Sequence, residues 1–216
     1  MPRRTRGPVP DVGARGPDGT PPEVPVASGV SPGAVIPDGR SPGSTTPEVS
    51  REWATIDGTA YRRVVLCFLF RPSPTGREVL LGLKRTGFGT GRVVALGGKV
   101  DGDESDLDSA VREVEEESGI VLPPSGLRYA GRISWSFPAR PGWNMQSALF
   151  TAEAGRSVPV PCEEIEPRWY PVDAIPWAAM WKDAPHWLPQ LLAGTRIDAH
   201  IEMAADNDGV ARATIS

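Results

Sequence analysis

The chain has 216 residues, 39% of them apolar, and a formal net charge of −4. That fits one domain of ordinary size and argues against a basic surface that grips duplex nucleic acid, so no stable nucleic-acid complex is expected. No run approaches the ~18 apolar residues of a membrane span, and the first arginines are not followed by the apolar stretch of a secretory signal, so the cytoplasm is the expected setting and no membrane partner is foreseen.

Residues 1–50 hold 11 of the 24 prolines, 8 of the 24 glycines and no aromatic residue. Pro-Asp-Gly recurs at 17–19 and 37–39, and Ser-Pro-Gly at 31–33 and 41–43. Such a segment buries too little apolar surface to offset its ordering entropy. A disordered tail is expected there: a tether, a partner-binding segment, or residues added by an upstream start codon. A folded domain is expected over 51–216. Val64–Phe70 reads as a buried strand, and Cys67 within it as a small buried hydrophobe. Its spacing from Cys162 suits neither a metal site nor a disulfide framework. Arg71–Gly76 reads as a turn and Glu78–Lys84 as a second strand. A glycine-rich loop, Gly87-Phe88-Gly89-Thr90-Gly91, leads to a short strand over Arg92–Leu96.

A helix follows. Ser105 is its expected N-cap, with Asp106 and Asp108 in the first turn. Leu107, Ala110, Val111 and Val114 form one apolar stripe at i, i+3, i+4, i+7. Gly119 stands where a helix stop belongs. On another face Glu113, Glu116 and Glu117 stand at i, i+3, i+4, a spacing that brings carboxylates together. Like charges this close are best tolerated around a cation, and Arg112 cannot serve all three. Hard oxygen ligands on one rigid element suit Mg²⁺, with Mn²⁺ as the alternative. The blander reading is a solvated acidic face, which is the reading adopted for Glu115. Beyond the helix, Tyr129–Phe137 and Met145–Glu153 read as strands. Trp169-Tyr170 reads as a short strand and Pro185–Ala193 as a second helix. Arg196–Met203 and Val210–Ile215 read as a hairpin around Asp206–Gly209.

The segment from Gly98 to Ile120 matches G-x5-E-x7-R-E-U-x-E-E-x-G-U (U apolar) at every fixed position: Gly98, Glu104, Arg112, Glu113, Val114, Glu116, Glu117, Gly119 and Ile120. In this the chain resembles the Nudix hydrolases. The resemblance implies an α+β fold, an α/β/α sandwich with a mixed sheet and the box loop-helix. It implies an enzyme that cleaves a nucleoside diphosphate-linked substrate with a divalent metal. Catalysis would fall to Glu113, Glu116, Glu117 and Arg112. Glu116 and Glu117 would hold the metal with the Gly97 carbonyl, and Glu164 is a further candidate. Glu113 would either bind metal or take the proton from water, oriented by Arg112. Gly98, Glu104 and Gly119 would shape the box.

The likeness extends over roughly 62–215 to the MutT-type oxidised-purine nucleoside triphosphatases. It is carried by Leu80–Arg85, Gly87–Arg92, Gly97–Val100, Ile175-Pro176, Met180–Asp183 and Trp187–Pro189. It implies a base pocket with Trp181, Asp183, Phe88, Trp135 and Lys84, and a role in sanitation of the nucleotide pool and so in DNA repair. For Trp181 the alternative is a core tryptophan; Trp177, Trp187, His186 and His200 are read as structural. Two positions depart from that pattern: Val94 stands where the relatives carry a base-contacting asparagine, and Ala184 where they carry a second aspartate. Both weaken the expected reading of the purine edge. Three other functions remain open: hydrolysis of ADP-ribose or a dinucleotide, a nucleotide-binding module without catalysis, and a scaffold role for the tail.

Overall fold

The structure, a computed structural model, describes residues 51–74 and 76–216; the tail expected over 1–50 lies outside the described residues. Among the described residues, nine strands and two α-helices follow in chain order, with three short 3-10 turns between them. They are β1 (Trp53–Ile56), β2 (Thr59–Ser73), β3 (Gly76–Lys84), β4 (Val93–Val94), α1 (Asp106–Ser118), β5 (Arg128–Ser136), β6 (Met145–Glu153), β7 (Ile165–Pro171), α2 (Ala184–Leu192), β8 (Ile197–Met203) and β9 (Val210–Ile215). All nine strands join one mixed sheet. Parallel pairing links β2 to β6 and β5 to β8; the remaining pairs are antiparallel.

Side-chain alternation divides the core. On β2, Val65, Cys67 and Leu69 join Leu80, Leu96, Ala110 and Val114 on the α1 face. Phe68 and Phe70 join Val79, Leu81, Trp187, Leu188 and Leu191 on the α2 face. Successive residues of a strand point to opposite faces, so each long strand feeds both layers and an α/β/α sandwich results. The apolar stripe of α1 packs as its spacing predicts: Ala110 and Val114 are fully buried, and Leu107 and Val111 lie against the same cluster.

One irregularity builds the site. Gly82 and Leu83 of β3 pair with both β4 and β7, so these two strands flank β3 on opposite edges. Leu80 likewise pairs with both β2 and β7, so β2 and β4 share an edge of β3. The chain from β4 onward is wedged there, bridging Leu96 to Cys67 and Lys99 to Val64. Gly97 and Gly98 therefore lie inside the sheet, beneath α1.

Several elements differ from the sequence reading. β2 runs through Ser73, beyond the expected turn at Arg71, because Arg71 and Pro72 still pair with Glu78 and Arg77. β4 is two residues long, since the wedged chain makes only isolated bridges after Val94. β1 was not foreseen. It pairs with β2 across Asp57 and Gly58, both at positive φ, the two-residue Asp-Gly hairpin turn. β7 extends well beyond Trp169-Tyr170 because it pairs along β3 from Glu78 to Lys84. Among the described residues, no helix is long and apolar enough to cross a membrane.

Candidate active site

The helix that carries the carboxylates is capped as its sequence dictates. Ser105 Oγ accepts from the Asp108 N–H at 3.1 Å. Gly119 adopts φ 67° and its N–H returns to the Glu115 carbonyl, a left-handed stop that a β-carbon disfavours. Glu113 and Glu117, one turn apart, face the sheet and are buried. Glu116 faces outward, its side chain 59% exposed, and Glu115 is exposed.

The two glycines of the wedge serve these carboxylates. A β-carbon on Gly98 would overlap the carboxylate of Glu113, and one on Gly97 would overlap the Val65 carbonyl. The Gly97 N–H donates to Glu117 Oε2 at 2.7 Å. Gly-Gly is thus the sequence that lets two buried carboxylates lie directly on backbone.

Two cations neutralise the cluster. Arg112 Nε and Nη2 hold Glu104 at 2.8 and 2.9 Å in a bidentate fork, and Nη1 reaches Glu113 at 2.8 Å and Glu116 at 3.0 Å. The same guanidinium donates to the Lys99 carbonyl, so Glu104, Arg112 and the loop form one brace. Lys84 Nζ lies 3.0 Å from Glu117 and 2.6 Å from Glu164. The sequence reading noted that Arg112 cannot serve three carboxylates; Lys84 serves the third. Burial pushes Glu113 up to about 7, with Arg112 opposing and the neighbouring glutamates adding. Burial likewise raises Glu117 against the pull of Lys84. Burial alone would lower Lys84, but Glu117 and Glu164 outweigh it and the net shift is upward. The Arg112 hydrogen bond holds Glu104 below the ordinary carboxylate range.

Carboxylate oxygens of this kind suit Mg²⁺ or Mn²⁺, so the donor types fit a divalent cation, with Arg112 and Lys84 as the counter-charges of Glu113 and Glu117. Among the described residues no three acidic, histidine or cysteine side chains are gathered as a cation site; Arg112 and Lys84 stand between them.

The expected base-pocket residues lie in two places. Lys84 is on the α1 face with the carboxylates, and Val94, paired with Gly82, packs against the α1-side cluster. The aromatic residues lie toward the α2 face. Phe88 stacks on Trp181 at 5.2 Å between ring centres and 18° between planes. It also meets Trp143 and Phe137 edge-on. Asp183 is 4% exposed, and its Oδ2 accepts from both indole N–H groups of Trp135 (2.7 Å) and Trp187 (2.9 Å). Trp135 is buried and packs edge-on to Trp187. The loop joining the two places is tied at Lys84, whose N–H donates to the Arg92 carbonyl and whose carbonyl accepts from Gly91. Sequence reasoning missed Phe137 and Trp143. Phe137 could have been found by strand parity with Trp135. Trp143 follows a Pro-Gly turn and had no periodic signal.

A glutamate-rich helix over a glycine wedge in a mixed α/β/α sandwich defines a class, and the comparison with known families agrees. The NUDIX domain model matches residues 60–191, more than half of the chain. The chain belongs to the Nudix family and is a Nudix hydrolase. Among its relatives is the oxidized purine nucleoside triphosphate hydrolase of Mus musculus, 38% identical over 126 residues, 58% of this chain and 79% of that protein. The Danio rerio protein of the same name is 36% identical over 119 residues, 55% of this chain and 74% of that one. The NAD-capped RNA hydrolase NudC of Pseudomonas syringae pv. syringae is 38% identical over 102 residues, 47% of this chain and 34% of that one. The fold is similar to the MutT mutator protein of Bacillus halodurans, with TM-score 0.55, 21% identity, and coverage of 71% of this chain and 97% of that one.

Proposed function

We propose that this protein is a Mg²⁺-dependent pyrophosphohydrolase of purine nucleoside triphosphates, oxidised purines such as 8-oxo-dGTP among them, yielding the monophosphate and pyrophosphate. Its role would be sanitation of the nucleotide pool in the cytoplasm, by residues 51–216. The observation that carries this reading is the coexistence of the box carboxylates of α1 with an aromatic group around Trp181, in a chain 38% identical to a hydrolase of that name across 79% of its length.

Glu116 and Glu117 would hold the cation, with the Gly97 carbonyl and Glu164 as further ligands and Mn²⁺ as the alternative ion. A bound divalent cation supplies charge neutralisation at the phosphates and activation of water. Glu113, on Gly98 and hydrogen bonded to Arg112, takes the proton of the attacking water. Burial raises Glu113 above the ordinary carboxylate range, the direction a general base needs. Arg112 orients it and, through Glu104, keeps the loop in register. Water adds to an inner phosphorus and the pyrophosphate group leaves. Lys84 would line the substrate site beside the carboxylates, and Phe88 and Trp181 would contact the base by stacking, worth about 0.5–1.5 kcal/mol beyond area for an aromatic pair.

A second reading, hydrolysis of a dinucleotide or ADP-ribose, is favoured by the match to the NAD-capped RNA hydrolase and by the apolar Val94 and Ala184. A panel of 8-oxo-dGTP, 2-hydroxy-dATP, dGTP and ADP-ribose, assayed with Mg²⁺ for pyrophosphate and for AMP, separates the two. Pyrophosphate release fastest from an oxidised purine triphosphate supports the first; turnover of ADP-ribose alone replaces it.

A further inference from the structure

The turn between β8 and β9 reaches the aromatic group from the far end of the chain. Its backbone is held tightly: Asp206 Oδ1 accepts from the Asp208 and Gly209 N–H groups at 3.0 and 2.8 Å. Ala204 N–H donates to the Gly209 carbonyl at 2.7 Å, and Asn207 N–H to the Ala204 carbonyl at 2.9 Å. The side chain of Asp208 leaves this rigid turn and divides its two oxygens. Oδ1 takes Arg92 Nη2 at 2.6 Å, and Oδ2 takes Lys182 Nζ at 2.7 Å. Both cations border Trp181. Lys182 is its chain neighbour. Arg92 donates from Nη1 to the Met180 carbonyl at 3.1 Å, and its guanidinium carbon lies 4.1 Å from the centre of the Trp181 ring. Arg92 also holds the Phe88 loop, its N–H donating to the Gly89 carbonyl at 3.0 Å.

We propose that Asp208 is a positioning residue for base recognition: it locks Arg92 and Lys182, and through Arg92 it sets the plane of Trp181 against which the base stacks. This rests on the proposed role of Trp181 as a base-stacking residue. The physical argument is one of degrees of freedom. Trp181 precedes α2 in irregular chain, so its ring is held by side chains alone: Phe88 stacked at 5.2 Å and the Arg92 guanidinium at 4.1 Å. An arginine has many rotamers, so a guanidinium over the ring defines the ring's plane only if the guanidinium is itself fixed. The Met180 carbonyl offers one anchor; Asp208 offers the charged one. Arg92 and Asp208 are each about a quarter exposed, so their pairing is less screened than that of a fully solvated ion pair. A purely structural staple for the hairpin would predict a different outcome, a change in stability with no change in base recognition.

The test uses the full chain with Mg²⁺. Steady-state kinetics with 8-oxo-dGTP, dGTP and dCTP are measured for Asp208→Ala, Asp208→Asn and Trp181→Ala, with the melting temperature of each. The asparagine variant keeps the shape and removes the charge, in case the alanine variant folds poorly. Both Asp208 variants are expected to raise KM for the purine triphosphates about tenfold, the scale of one lost charge-assisted hydrogen bond, with kcat within about twofold and a smaller KM change for dCTP. Trp181→Ala should do the same more strongly. If Trp181→Ala raises the purine KM while both Asp208 variants leave it unchanged, the positioning role is overturned and the base site stands. If Trp181→Ala leaves KM unchanged, the base site itself fails and the proposal with it.

Discussion

Lys84→Met tests the electrostatics of the carboxylate cluster most directly. Methionine keeps the length and most of the volume of the lysine stem, so packing is largely preserved while the charge is lost. Glu117 then keeps one partner among those described above, the Gly97 N–H at 2.7 Å, with its side chain only 3% exposed. Breaking a buried ion pair by removing one member costs about 3–5 kcal/mol. The lower end is expected here, about 3 kcal/mol, because the Gly97 bond survives and Glu117 can take up a proton. For a domain of this size that is a fall of roughly 6–12 °C in melting temperature. Urea unfolding with EDTA at neutral pH measures it. Glu117→Gln alone should cost less, since Lys84 retains the exposed Glu164, and the double variant Lys84→Met/Glu117→Gln should be more stable than Lys84→Met. The deficit should shrink as pH falls toward the ordinary carboxylate value of 4.5, because the folded-state pKa of Glu117 is raised and its proton returns first. A loss below about 1 kcal/mol, or a double variant no better than the single, would mean that Lys84 does not neutralise a buried Glu117 charge.

Three further outcomes are expected. Glu116→Gln and Glu117→Gln should each lower metal-dependent turnover by orders of magnitude in a folded protein, checked by kinetics and circular dichroism; near-normal rates for both would remove these residues from catalysis. Asp183→Ala orphans two buried indole donors and should cost about 2 kcal/mol or more, whereas Asp183→Asn, which retains an acceptor oxygen, should cost less in the same urea titration. Glu113, raised from 4.5 to about 7 by burial, contributes stability that is full below about 4.5 and lost as pH rises through about 7; in EDTA, Glu113→Gln should flatten the wild-type decline across that window.

How far the sequence reaches depends on whether a feature is local. The box helix was legible to the residue. Its N-cap Ser105, its stop at Gly119, its apolar stripe and the spacing of its glutamates are all set within one stretch of chain. The hairpin at Asp206–Gly209, the β3, β5 and β6 strands and the central part of β2 were legible for the same reason. β1 was carried by a signal that is in the sequence, the Asp57-Gly58 turn between two short β-type runs.

Other features depend on partners far apart in the chain. Alternation along β3 tells that Lys84 shares a face with Leu80, but only the packing of α1 on that face turns Lys84 into the counter-ion of Glu117, 33 residues away. The wedge of Gly97 and Gly98 between β2 and β3 decides that Glu113 and Glu117 are buried and Glu116 is not; on an isolated helix all three would be solvated. Asp183 accepts from Trp135, 48 residues distant, and Asp208 reaches Arg92 across 116 residues. Local propensity carries no information about such pairs, because their energy exists only once the sheet has brought the elements together and taken the charges and indoles out of water.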